Sequence, residues 1–282
     1  MKLKDIAGMF NRAWEYAFNV RKFLFMFLTL IIAGLLFIFF QGIGASASVW
    51  LQLALRFFPI FVAAALLMAT GTFLIKTYIE EKEQSRDDIM MGVGLKTSYA
   101  TLGEPLIKAF YFVVPLLGAF IAFWILLALF ILLKAIPYVG VFFGVILAFV
   151  PFLLNLAILL LMVAILGVLF FFTPLLAVKN HVDRKDLLVR LRADLFTHTL
   201  SLAIGFVPVW VIWMFVRSAA MLTFDVYSVG DSSLAMIMQA FFMLIPFAAA
   251  MSFPLIYFFN FALEAFLLTR VKNDNIPPSS EK

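Results

Sequence analysis

The sequence predicts an all-α integral membrane protein: six transmembrane helices preceded by an N-terminal interfacial amphipathic helix. Three observations predict it. Hydrophobic residues make up 65% of the 282 and charged residues only 13%, against about half and about a quarter in a soluble domain. A soluble fold of this size needs far more polar surface than that. The apolar residues fall into six solid runs without period-two alternation, which excludes a β-barrel. Of the 21 Lys and Arg, all but Arg56, Lys134 and Arg217 lie in segments that six crossings place on one side. Soluble enzyme, disordered chain and disulfide scaffold are all excluded, the last because cysteine is absent.

The elements follow in order. Leu3, Ile6, Ala7, Phe10, Ala13, Trp14, Ala17 and Phe18 recur at three- and four-residue steps, with Asp5, Arg12, Glu15, Asn19 and Lys22 on the other face. Residues 1–22 are therefore expected to lie in the inner headgroup layer, as an anchor for the first span or as a docking face for a membrane-protein partner. The spans of the transmembrane domain, residues 23–270, are read as Phe23–Phe40, Phe57–Ile75, Ala109–Leu133, a run within Val141–Val178, Leu200–Val216 and about Leu234–Leu263. The fourth run, 38 residues, would reach roughly 57 Å as one helix against about 30 Å of hydrocarbon. A kink at Pro151 is expected there, leaving Val141–Val150 as a re-entrant or interfacial piece and Phe152–Phe172 as the span. Residues 271–282 form a polar tail.

Charge sets the orientation. Basic residues precede the first span, fill the Lys76–Lys108 and Lys179–Arg192 connections and follow the sixth span. The positive-inside rule then places both termini in the cytoplasm of a bacterial inner membrane. The net charge of +5 is thus a topology signal, and nucleic-acid binding is not expected. Trp50, Trp210 and Trp213 fall where an outer aromatic belt would lie. Glu80 to Asp88 reads as a helical extension of the second span, and Asp183–Leu200 as a second amphipathic segment.

The catalytic inventory is thin. His181 and His198 are the only histidines and show no metal spacing, and there is no phosphate-binding glycine motif. Gly44-Ala-Ser46 is similar to the serine motif of rhomboid-type proteases, but both histidines belong to the opposite face. Glu80-Glu81 with Arg86 is similar to the paired glutamates of CAAX-type membrane proteases, but the arginine is one position too far. No enzyme activity, cofactor or metal is expected. Polar residues inside spans are the default functional candidates: Asn155, Asn260 and Glu264, with Lys108 and Arg217 near span ends read as snorkelling. Glu264 is expected about one turn inside the inner interface, within reach of a Lys or Arg, so that Glu264→Gln costs almost nothing.

Ile136-Pro-Tyr-Val-Gly140, a long span, then Thr173-Pro-Leu-Leu-Ala-Val178 running into Asp183–Leu200 form an arrangement over residues 100–220. It resembles the six-helix membrane domain attached to some bacterial glycerophosphodiester phosphodiesterases and its stand-alone relatives. The resemblance implies six helices and carries no catalytic residue, because the chemistry of that group belongs to a separate soluble domain. Those relatives carry a glutamate after the fourth span, where this chain has Lys179. The expected function is a non-enzymatic scaffold or accessory component in envelope or lipid homeostasis, with membrane lipids as partners. The alternative is a small-molecule or lipid transporter with a polar cavity at Asn155, Asn260 and Glu264.

Overall fold

The computed structural model describes residues 3–45, 49–83, 103–136, 140, 149–179, 195–226 and 233–274. They form a short helix α1 (Leu3–Glu15) and six long ones: α2 (Val20–Ala45), α3 (Val49–Glu83), α4 (Gly103–Lys134), α5 (Phe149–Lys179), α6 (Leu195–Val226) and α7 (Ser233–Asp274). All six long helices are long and apolar enough to cross a membrane, and the chain is a multi-pass membrane protein. Its outer surface says the same: Phe39, Leu132, Phe152 and Phe215 are 60 to 73% exposed, which only a lipid surround makes favourable.

Apart from the fourth, each span is longer than its apolar run. The amphipathic segment stops at Glu15, and Val20–Lys22, expected within it, open α2. Pro151 falls in the first turn of α5, where a missing N–H has no partner to lose, and any break ahead of it lies outside the described residues. The helix runs from Phe149 straight through to Lys179, well past the expected Phe172. The re-entrant reading of Val141–Val150 lies outside the described residues up to position 148. So do positions 84–100, 183–194 and the tail from 275. Glu80–Glu83 extend α3 as expected, and Leu195–Leu200 belong to α6.

The long helices alternate in direction. The start of α2 meets the end of α3 through Lys22 and Glu81, Phe112 early in α4 meets Phe172 late in α5, and Phe171 meets His198 in the first turn of α6. One end of the bundle therefore carries α1 and the final turns of α7, here called the α1 end. Helix α3 is the centre of the packing and is buried along most of its apolar length. It touches α2, α4, α5 and α7, while α7 closes the bundle against α2, α5, α6 and α1.

With lipid outside, apolar burial drives helix association weakly, so close backbone approach matters. Gly71 on α3 lies under Phe259 of α7, where an added Cβ would stand 2.4 Å from a ring carbon. Gly34 on α2 lies as tightly under Leu244. Between α2 and α3, Thr29 donates to the Phe25 carbonyl and accepts from Thr70 at 2.8 Å. Gly71→Ala is expected to cost about 1–3 kcal/mol through overpacking, read as a lower unfolding temperature in detergent. Gly118→Ala, with nothing within 4 Å of its Cβ position, is the control and should leave that temperature unchanged.

Candidate functional site

The chain builds a charged cluster where α1 folds back on the bundle. Asn19 caps α2: its Oδ1 accepts from the backbone N–H of Arg21 at 2.8 Å and of Lys22 at 3.4 Å. This cap sets the turn so that the apolar stripe of α1 faces α7. Met9, Ala13 and Ala17 are buried there, and Trp14 packs edge-on against Tyr257. The Ala13 carbonyl accepts from Asn260 Nδ2 at 3.2 Å, pinning α1 to α7. The stripe read as membrane-facing thus docks largely on the chain's own last helix, leaving Phe10 and Phe18 on the outside.

Glu264, 4% exposed, is the hub. Its Oε1 accepts from the Tyr78 hydroxyl at 2.7 Å and from Lys82 Nζ at 2.5 Å. Its Oε2 accepts from Arg12 Nη2 at 3.0 Å and Nε at 3.3 Å. The carboxylate therefore joins α1, α3 and α7. A second pair lies beside it, wholly buried: Lys22 Nζ of α2 donates to Glu81 Oε2 of α3 and to the Tyr16 carbonyl at 3.2 Å. Asn19 Nδ2 completes Glu81 at 2.6 Å. The Tyr78 ring links the two pairs, with Lys22 Nζ 5.1 Å and Lys82 Nζ 5.5 Å from its centroid and Tyr16 packed edge-on. Three cations and two carboxylates are mutually satisfied, so the cluster joins four helices at the α1 end.

Of the three residues expected to share a polar cavity, Asn155 is apart from the other two. Glu264 has the basic partners expected of it, and Asn260 sits one turn earlier, its Nδ2 bonded to α1 and its buried Oδ1 without a partner among the described residues. Asn155 is exposed on the second turn of α5, at the opposite end of the bundle. Lys108 pairs with Glu104 within α4. Sequence reasoning missed Lys22 and Glu81, which were assigned to the polar face of the N-terminal helix and to the helical extension of the second span. The signal was present: Lys22, Met26, Thr29 and Ala33 share the buried stripe of α2, as Thr70, Leu74, Tyr78 and Glu81 do on α3.

A second feature has no counterpart in the polar inventory. A cavity of about 1070 Å³ opens between α2, α3, α6 and α7 in the half of the bundle away from α1. Its wall is nearly all apolar and rich in alanine: Ala33, Ala63, Ala219, Ala220, Ala240 and Ala250. Trp213, read as a belt residue, lines this space instead. This space is thus dry in character, while the buried charges Lys22, Glu81 and Glu264 are locked in structural pairs.

Comparison of the chain with models of known families, with curated proteins and with solved structures finds no match.

Proposed function

We propose that this chain is a non-enzymatic, multi-pass component of a bacterial inner membrane that serves lipid homeostasis by binding membrane lipid, with both termini cytoplasmic. The observation that carries this reading is the apolar cavity among α2, α3, α6 and α7. Its volume stands at the top of the roughly 300–1,000 Å³ range of small-molecule sites, and its wall suits hydrocarbon. A transporter of polar solutes needs uncommitted polar groups around one space; Glu264 is engaged by α1 and α3, Asn260 donates to α1 and keeps only a buried Oδ1 unpaired, and Asn155 points outward. The resemblance to the phosphodiesterase-associated membrane domain is compatible with lipid work and is itself a proposal.

The test fills the space. In Ala63→Phe and Ala220→Phe, two rings enter the cavity from different helices. After purification in mild detergent, phospholipid retained per chain is expected to fall by about half or more, with helix content and elution volume unchanged. Unchanged retention in folded variants contradicts the reading.

A further inference from the structure

We propose that the outward face of α6 docks a transmembrane helix of a different protein, and that this helix carries a carboxylate that pairs with Arg217.

The depth of the guanidinium is the first observation. The apolar span of α6, Thr197–Thr223, is centred on Trp210. The Arg217 backbone therefore lies about 10 Å from the midplane, inside the roughly 15 Å half-thickness of the hydrocarbon. The side chain does not snorkel outward, as its place near a span end suggests. Its guanidinium carbon lies 5.2 Å from the ring centroid of Trp213, one helical turn nearer the middle of the bilayer. The ring covers one face of the planar cation and leaves the N–H edges to an acceptor. Arg217 is exposed and does not belong to the cavity wall. Among the described residues it makes no hydrogen bond or ion pair. Charged groups at such depth face a bundle interior or a partner, and Arg217 has neither within the described chain.

An exposed seam runs through the same residue. Ala203, Val207, Trp210, Met214, Arg217 and Met221 are all exposed and follow at alternating steps of four and three, the spacing along which a second helix packs. The buried Ser201, Gly205 and Val209 lie on the other side of α6, which packs against α7. Trp210, 48% exposed, stands at the midpoint of the span instead of in an interfacial belt. Its indole N–H, like the guanidinium, donates and cannot accept. The seam is therefore complementary to acceptors, with a negative charge opposite Arg217.

The depth decides what brings that charge. Lipid phosphates sit above the hydrocarbon, so an acceptor arrives at this level on a helix, whose own backbone is satisfied internally. A carboxylate on that helix meets the guanidinium fork with two parallel hydrogen bonds. A second copy of this chain is the wrong occupant, because a two-fold axis along the membrane normal sets the two Arg217 side chains at one depth, like charge against like.

The test uses synthetic transmembrane peptides of leucine and alanine. Each carries Glu, Gln or Leu at both positions about 10 Å from its centre, so that either orientation presents one to Arg217. Full-length protein in phosphatidylcholine vesicles is titrated with each labelled peptide, and association is read by energy transfer. The Glu peptide is expected to bind about tenfold tighter than the Leu peptide, with Gln between them. Arg217→Leu should bring the three within about twofold while leaving helix content and elution volume unchanged. Arg217→Glu should reverse the order, preferring a Lys peptide to the Glu peptide. Equal binding of the Glu and Leu peptides by the wild type, or a Glu preference that survives Arg217→Leu, overturns the proposal. A dimer formed without peptide and crosslinked through Met214→Cys on both chains would put a second copy on this face and overturn it as well.

Discussion

Lys22→Met is expected to destabilise the protein by about 3–5 kcal/mol, the cost of leaving one buried charge without its partner. Lys22 is fully buried and Glu81 nearly so, so neither can turn to water when the other is removed. The substitution keeps the length and bulk of the side chain, and the loss is therefore electrostatic more than steric. Glu81→Leu alone should cost a similar amount. Removing both charges together should recover most of the loss, because a well-packed apolar pair replaces a buried ion pair at little cost. Unfolding free energies of the two single variants and the double variant measure the coupling. Additive losses would show that Lys22 and Glu81 do not act as a pair.

The second large effect concerns Glu264. Glu264→Leu is expected to cost about 2–3 kcal/mol, chiefly because the buried Tyr78 hydroxyl loses its acceptor. Arg12 and Lys82 contribute less, since their side chains are 48% and 34% exposed and regain water. Glu264→Gln is milder, but the structure revises the expectation that it costs almost nothing. The amide oxygen can still accept from Tyr78 and Lys82, whereas its NH₂ presents donors to the guanidinium of Arg12. About 1 kcal/mol is expected for Gln on that ground. The readout specific to this site is the hold on α1. Both variants should speed tryptic cleavage at Arg12, Leu more than Gln, because α1 is tied to α7 through Glu264 and Asn260. Cleavage at the wild-type rate in Glu264→Leu would show that α1 is held by its apolar stripe alone.

The spans were legible because a bilayer imposes one coarse demand on sequence, a long apolar run, and six such runs are visible without any contact information. Helix α1 was legible because its stripe repeats at helical spacing. What the stripe meets was not, since apolar residues fit lipid and Tyr257 equally well. The buried pairs escaped for a related reason. Counting Lys22 and Glu81 as interfacial charges follows from their position at span ends, but burial depends on which face each presents. Lys22 continues the Met26, Thr29 and Ala33 stripe, and reading that stripe outward past the apolar run would have placed it inside. Asn155 fails in the opposite sense: its place inside an apolar run says nothing of its azimuth, and it faces outward. The cavity was beyond any single segment. Its walls come from four helices, and the alanines that shape it look like ordinary span composition until α2, α3, α6 and α7 are brought together.

The most direct measurement of lipid residence is photocrosslinking in reconstituted membranes with a phospholipid whose acyl chain carries a diazirine, followed by peptide mapping. The account predicts labels concentrated on the cavity wall, at Ala33–Ile38 of α2, Trp213–Thr223 of α6 and Ala240–Ala250 of α7, and lost from those positions in Ala220→Phe. Labels spread evenly over outward residues such as Leu24, Leu132 and Phe152, with no excess on the wall, would contradict it.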